Sequence, residues 1–409
     1  MLKRIHVKQL RLGMYVHEFC GSWMDHPFWR GAFLLGNPKD LKTILSTGIH
    51  EVWIDTDKGM DVDNGATEEM VAAEVEITLM QANTASKVVP RVDLAQEAVR
   101  AARVCSQARQ AVTSMFQEAR MGKALQAEAA LPIVDEISSS VMRNPDALIS
   151  LARLKDKDYY TYMHSVAVCA LMVSLARQLM LDDMQVRQAG LAGLLHDIGK
   201  MTVPLEILNK PGKLTKTEFD VMKGHPAKGH KMLLEGSGID DVALDVCLHH
   251  HERLAGNGYP EGLADEQISM YAKMGAVCDV YDAITSDRPY KSGWEPADAI
   301  RKMAEWSKGH FDQRIFEAFV RSIGIYPIGS LVRLQSDHLA VVIGQTEKSL
   351  LVPMVKVFFS IKSNTRIAPE TLDLSKPGCK DKIVSHEDPA KWDIRDTHAL
   401  WSDMPTAIW

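Results

Sequence analysis

The chain has 409 residues, 46% of them hydrophobic and 24% charged, with a formal net charge of -6. That length predicts two or three domains with ample core, and the composition is that of a globular protein. The acidic balance excludes a broad nucleic-acid-binding face, although a local basic pocket remains compatible with it.

The first residues, MLKRIHVKQLRLGMYV, are basic but lack a continuous apolar run, so no signal peptide is expected. Residues 1–65 read as a small β-rich domain. HVKQL, GMYVHEF, AFLL and HEVWIDT are short β-branched or aromatic segments set between Gly, Pro and Asp. Trp23, Phe28 and Trp29 in this region read as core aromatics rather than a pocket lining. DKGMDVDNGATEE reads as linker, and residues 66–145 as linker plus connector helices. From about residue 92 apolar side chains recur at three- and four-residue spacing. That stretch fits a connector, a dimer seam or a helix packed on its neighbours, the last being preferred.

Residues 146–323 carry helical periodicity throughout. VAVCALMVSLARQLM (166–180) is too short, and too interrupted by Ser, Arg and Gln, to span a bilayer. It reads as a buried core helix, and the protein as cytoplasmic. In LTKTEF, Thr215 is expected to cap a helix with Glu218 three residues on. Residues 324–409 return to strand alternation in GSLVRLQ, HLAVVIGQ and LLVPMVKVFF, and the polar tail after Pro369 is expected to be partly loose. The fold class is therefore mainly α, with a helical domain flanked by small β-rich segments. Six cysteines, at 20, 105, 169, 247, 278 and 379, include no CxxC pair. Free thiols in a reducing compartment are the expectation.

Histidine placement is the unusual feature. Seven of the 15 histidines fall between residues 164 and 251: His164, His196, His225, His230, His249, His250 and His251. Imidazole is the commonest side-chain ligand for transition metals, and a carboxylate can bridge two of them. In LLHDIGK, Leu194 and Leu195 anchor the turn while His196 and Asp197 arrive together. Gly199 lets the chain approach a ligand closely, and Lys200 follows. In HHHERLAGNGYP, His250 and His251 need a helix end to converge, because adjacent helical residues point about 100° apart. Gly256 and Gly258 then turn the chain, and Tyr259-Pro260 stiffens it. His249 reads as a buried or hydrogen-bonded neighbour of the ligands.

YTYMHS, HDIGK, VPLEILNKPGKLT, HPAKG, HHERLAGNGYP and DVYDAITSDRPYK follow one another between residues 160 and 291. Together they resemble the HD-GYP family of bacterial phosphodiesterases, a branch of the HD metal hydrolases, over about residues 150 to 322. LRLGMYV and SWMDHPF resemble the small uncharacterised domain that often precedes it, and GIYPIGSLVRL a short β extension that follows. The resemblance implies an all-helical HD-superfamily domain that hydrolyses cyclic di-GMP to pGpG, and onward to GMP in some members. It implies two divalent transition-metal ions, iron or manganese preferred and zinc or nickel compatible, held by His164, His196, Asp197, His225, His250, His251 and Asp279. Asp197 and Lys200 would be catalytic, with Lys200 on the scissile phosphate. Arg288, Lys291, Lys200 and the loop Gly258, Tyr259, Pro260 would contact substrate. An ion-activated water would attack phosphorus in line with the leaving 3′ oxygen.

The family's loop also contacts partner proteins such as diguanylate cyclases, and a homodimer is compatible; no nucleic-acid polymer and no membrane is expected as partner. Two departures stand out. Ala255-Gly256 replaces the usual Asp-Gly, which removes a carboxylate from the loop. Tyr160 stands where three-ion members carry Glu, so two ions are expected. The competing readings are a cyclic-dinucleotide sensor or scaffold with little catalysis, and a hydrolase of another cyclic dinucleotide.

Overall fold

In the computed structural model, which describes residues 1–21, 32–45, 49–83, 92–153, 160–212, 214–286, 293–346, 348–394 and 397–402, the first residues pair into a five-stranded antiparallel sheet. Its strands are β1 (Leu2–His6), β2 (Tyr15–Phe19), β3 (Phe33–Leu34), β4 (Glu51–Asp55) and β5 (Ala66–Thr67), in the order β3-β2-β4-β1-β5. Alternation along β1 and β4 sends Ile5, Val52 and Ile54 to one face, where they join Val16, Leu35 and Ile44 of helix α1 (Pro38–Leu45) in a separate core. The opposite face carries a cross-strand row: Glu18 pairs with Trp53, and Trp53 with Arg4.

The first strand lies one segment earlier than expected. HVKQL is not a strand; Val7–Gln9 form a 3-10 turn capped by His6, whose Nδ1 accepts from the Lys8 amide at 3.1 Å. Only Phe33–Leu34 of AFLL pair. The stretch expected as linker contains β5 and runs into helix α2 (Glu68–Ala82), which its Thr67 caps by accepting from the Met70 amide. Trp23, Phe28 and Trp29 lie outside the described residues.

Helices α3 (Leu94–Arg120), α4 (Ala127–Arg143), α5 (Pro145–Arg153), α6 (Tyr160–Gln178) and α7 (Asp183–Leu195) come next. The stripe Ala98, Ala101, Cys105, Ala108, Val112, Phe116 of α3 is buried against α4, α5 and α6. The apolar face that might have served as a dimer seam is thus covered within the chain. Helix α6 is buried on every side from Val166 to Ala176, as its largely apolar run requires. No helix among the described residues is long and apolar enough to cross a membrane. Helix α7 packs closely on α6 because it presents glycine there. A Cβ on Gly193 would lie 3.0 Å from the Cys169 Cα and 3.0 Å from the Val168 carbonyl oxygen.

Short helices α8 (Leu205–Leu208), α9 (Lys216–Lys223), α10 (His225–Leu234) and α11 (Asp241–His249) lead to α12 (Met270–Thr285), α13 (Pro296–Trp306) and α14 (Gln313–Ile323). Thr215 caps α9 and Glu218 reaches back to its amide at 2.6 Å, the expected capping box. The chain ends in a second antiparallel sheet, β6 (Leu331–Leu334), β7 (His338–Gly344), β8 (Met354–Ser360), β9 (Thr365–Asp373) and β10 (Ile383–His386), in the order β10-β6-β7-β8-β9. The described part of the tail, up to residue 402, carries more regular structure than its polarity suggests. Pro369 lies within β9, an edge strand, where a missing amide donor leaves no ladder bond unmade. Trp401 of α15 (Thr397–Ser402) is buried against Gly329. All six cysteines are free.

Gly193→Ala places its methyl against backbone that cannot withdraw. We expect a loss of about 1–3 kcal/mol, typical of overpacking. Thermal unfolding followed by circular dichroism reads it, and an unchanged midpoint would show that α6 and α7 can separate freely.

Candidate metal centre

The site forms where helices end. Helix α7 stops at Leu195, so His196 and Asp197 leave it together and a 3-10 turn, Ile198–Thr202, carries Lys200. His225 opens α10, and His250 and His251 come directly after the last turn of α11. His164 projects from α6 and Asp279 from the buried face of α12. These seven side chains converge, and all but the half-buried His251 are buried.

Backbone carbonyls orient the imidazoles. Nδ1 of His196 lies 2.8 Å from the Gly193 carbonyl, that of His225 2.9 Å from Met222 and that of His250 2.9 Å from Val246. A carbonyl oxygen only accepts, so each Nδ1 carries the proton and each Nε2 turns a lone pair inward. Those inward atoms meet carboxylates. His225 Nε2 is 3.2 Å from Asp197 Oδ1, and His196 Nε2 is 3.4 Å from Asp197 Oδ2. His164 Nε2 is 3.0 Å from Asp279 Oδ1 and 3.4 Å from Asp197 Oδ2. His251 Nδ1 lies 3.8 Å from Asp279 Oδ2. Three triads, His225-His250-His251, His164-His196-Asp279 and His196-Asp197-His250, each bring ligand atoms within 4.8 Å of one another.

Electrostatics are set by burial and by the neighbours that oppose it. Burial alone would raise the Asp197 carboxyl, but Lys200, His196, His164 and His225 hold it well below the usual carboxylate range. Asp279 is likewise held low against burial, chiefly by His164 and His196. Burial, then His196 and His225, push His250 down to about 3. Burial would lower His164 too, but Asp197, Asp279 and Asp282 outweigh it and push it up to about 9. His196 Nε2, Asp197 Oδ1 and Asp279 Oδ2 are buried without a hydrogen bond. Inward lone pairs, ionised carboxylates and unmet acceptors together fit divalent transition-metal ions.

The turn that bears Lys200 is anchored twice. Lys200 Nζ donates to Asp197 Oδ2 at 2.5 Å. Arg120 of α3 donates to the carbonyls of Lys200 and Val203, at 3.4 and 3.2 Å. Gly199, expected from the sequence to bring the chain close to a ligand, makes room for α10. A Cβ there would lie 1.9 Å from the His225 carbonyl oxygen and 2.6 Å from the Gly229 amide nitrogen, so this glycine lets α10 touch the turn.

The Gly258, Tyr259, Pro260 loop folds over the site. A Cβ on Gly258 would meet the Glu252 Cα at 2.4 Å. The Tyr259 ring stacks on His251, centroids 4.7 Å apart at 27°, and the Lys223 ammonium sits 5.3 Å from the Tyr259 centroid. Pro260 is exposed. His249 lies outside the three triads: its Nδ1 meets Asp245 Oδ1 at 2.7 Å and its Nε2 lies 3.5 Å from Glu261 Oε2. Arg288 and Lys291 lie outside the described residues, as does the side chain of Tyr160.

Two residues of the site are not evident from the sequence. Asp282 faces His164 Nδ1 at 2.6 Å; it lies three residues after Asp279, one turn along the same helical face. Buried Glu252 accepts the amides of Glu261, Gly262 and Leu263 at 2.7, 3.0 and 3.0 Å. Its signal is a carboxylate just before a glycine-rich loop whose amides need an acceptor.

The sequence model for the HD domain matches residues 141–315, and one for a domain of unknown function matches residues 2–130. The chain is 56% identical to a cyclic di-GMP phosphodiesterase of Pseudomonas aeruginosa, over 99% of this chain and 96% of that protein. The chain belongs to the HD-GYP family of cyclic di-GMP phosphodiesterases. It is also 43% identical to a cyclic di-GMP phosphodiesterase response regulator of Xanthomonas campestris pv. campestris, over 36% of this chain and 39% of that protein. A 3'3'-cGAMP-specific phosphodiesterase of Vibrio cholerae is 36% identical, over 41% of this chain and 38% of its own.

In this HD-GYP protein Glu252 holds the far side of the loop through three backbone amides. Glu252→Ala leaves three amides without their acceptor. Hydrogen bonds to an ionised group contribute about 1.5–3 kcal/mol each, so amide exchange at residues 261–263 should accelerate by on the order of tenfold or more. Exchange measured by NMR or mass spectrometry reads this directly; unaltered protection would show that other bonds hold the loop.

Proposed function

We propose that the protein is a metal-dependent phosphodiesterase that hydrolyses cyclic di-GMP to pGpG in the cytoplasm, with GMP as the alternative end product. The observation that carries this reading is the buried cluster of five histidines and two aspartates, with inward lone pairs and unmet carboxylate oxygens, in a chain so similar over its whole length to a cyclic di-GMP phosphodiesterase.

His164, His196, Asp197, His225, His250, His251 and Asp279 would hold two divalent transition-metal ions, with Asp197 shared between them. Bound ions supply a water of lowered pKa and draw charge from the phosphate oxygens. The chain's own groups do the rest. The Nδ1 contacts to carbonyls keep the imidazoles in one tautomer and orientation. Asp282 does the same for His164. Lys200, paired with Asp197, would turn to the scissile phosphate and offset the charge that builds on it. Tyr259 walls one side by stacking on His251. Arg288 and Lys291 are proposed to grip the nucleotide. The exposed tip at Pro260 and Glu261 is the surface proposed for a diguanylate cyclase.

Incubating metal-loaded protein with cyclic di-GMP, pGpG and 3'3'-cGAMP, and resolving products by chromatography, tests the reading. Turnover of none of them would sink it; faster turnover of 3'3'-cGAMP would reassign the substrate.

Ligand and phosphate roles separate by variant. We expect about two metal equivalents per unmodified chain by elemental analysis, the number that one shared carboxylate allows. Asp197→Asn should abolish hydrolysis and strip most of that metal. Lys200→Ala should keep it and lose roughly 10²–10³ in rate. Metal lost in parallel with rate in Lys200→Ala would make its role structural.

Asp282→Asn retains shape but not charge. An outer partner of a ligating histidine typically accounts for about 10–100-fold in metal affinity, and a loss of that order is expected here. Competition with a chromophoric chelator measures it; full affinity would leave Asp282 a packing residue.

A further inference from the structure

We infer that Arg4, Trp53 and Glu305 are positioning residues, through which the N-terminal sheet fixes the loop that carries Tyr259. The inference rests on the reading of that loop as a wall of a phosphodiesterase site. It begins with the row Glu18, Trp53, Arg4 across β2, β4 and β1, which faces α13 rather than the sheet's own core.

Each member of the row grips the last two turns of α13. Trp53 Nε1 donates to Glu305 Oε1 at 2.6 Å, and the Lys302 ammonium donates to Glu18 Oε2 at 2.8 Å. Arg4 Nη1 donates to the Glu305 backbone carbonyl at 3.2 Å, and its Nη2 to Glu74 of α2 at 2.8 Å. The Glu305 carbonyl is among the last four of its helix, which have no acceptor role left within it. A buried guanidinium there both fills that vacancy and opposes the negative end of the helix. The sheet thereby caps the C-terminal end of α13.

The turn after α13 holds the loop. Ser307 to Asp312 form it, with Gly309 in the left-handed region at φ 76°. The Gly309 carbonyl accepts the Ala255 amide at 3.0 Å, and Ala255 bridges Ala264 across the neck of the loop. Lys273 adds a brace, reaching Asp265 of the loop at 3.0 Å and Asp312 of the turn at 3.5 Å. Beyond the neck, Tyr259 lies on His251. Arg4 to Glu305, Gly309 to Ala255 and Tyr259 to His251 make a continuous line of contacts from the N-terminal domain to the metal cluster. Displacing the sheet from α13 loosens the loop without touching a ligand. The N-terminal domain acts on substrate affinity by that route.

The test compares Arg4→Met, which keeps the apolar stem, the milder Trp53→Phe, and Arg187→Met as control. Arg187 makes an exposed, bidentate ion pair with Asp135, between α7 and α4, at 2.7 Å. Hydrogen exchange is read at the Ala255 amide in nucleotide-free protein, beside metal content, KM and kcat. In Arg4→Met the Ala255 amide should exchange on the order of tenfold faster. KM for cyclic di-GMP should rise about three- to fivefold, with kcat changed by less than about twofold. Metal content should stay level, Trp53→Phe should shift the same quantities less, and Arg187→Met should shift neither. Unchanged Ala255 exchange in folded Arg4→Met overturns the inference, and so does equal acceleration in Arg187→Met. If the unmodified protein hydrolyses no cyclic di-GMP, the activity reading fails by itself, while the exchange comparison still decides whether the sheet holds the loop.

Discussion

Everything in the centre depends on the Asp197 carboxylate being buried and ionised. A carboxylate removed from water is tolerated only if positive or polarised groups surround it. Here the charge comes from Lys200 on the adjoining turn and His164 on α6, while the rings of His196 beside it and His225 on α10 close the remaining sides. Each element must therefore arrive at a fixed depth. The fold supplies that by removing side chains where backbones must touch. Gly193 lets α7 settle on α6, and Gly199 lets the turn touch α10. Arg120 secures the same turn from α3. The long helix that reads as a connector is in this way part of the site's foundation.

Helix ends do a second task. Within a helix, neighbouring side chains diverge; at an end they can converge, and free carbonyls become available as acceptors. The carbonyls of Gly193, Met222 and Val246 are each taken by the Nδ1 of a histidine three or four residues further on. The same short-range contact repeats at three places in the chain. It makes the ring orientation of each ligand a property of its own helix terminus, independent of whatever binds between them.

Local origin is also what makes a feature legible in the sequence. The histidines and aspartates stand out because their types are rare together and each sits at a break. The capping box at Thr215 and the buried helix 166–180 are readable from local rules alone. Less legible are residues whose partners are distant in sequence. Glu252 meets amides nine to eleven residues away, and Asp282 meets a histidine 118 residues earlier. Helix α2 is hard to see because acidic residues dilute its pattern, although Thr67 followed by Glu68 and Glu69 is a helix start. The strand at 2–6 is hard to place because HVKQL alternates equally well. Pairing with β4 decides the register, and that pairing spans some fifty residues, from Leu2 to Asp55.

The substitution at Ala255 shows how the loop can do without a carboxylate. An aspartate at such a position could cap the turn with its side chain. Here the work is done by the backbone and by a neighbour. The Ala255 amide goes to Gly309, while Glu252, buried three residues earlier, collects the amides at the far side of the loop. The loop is thus held at two points, one on each side of Tyr259. The Glu252 point belongs to the segment that bears the metal-facing histidines and is buried beside them. The Gly309 point belongs to a turn that follows α13, and α13, packed in the main core through Ile300, Met303 and Trp306, meets the N-terminal sheet through polar contacts. Polar interfaces between domains part more readily than apolar ones. Of the two fastenings, the one at Ala255 is the one that a change in the N-terminal domain can reach.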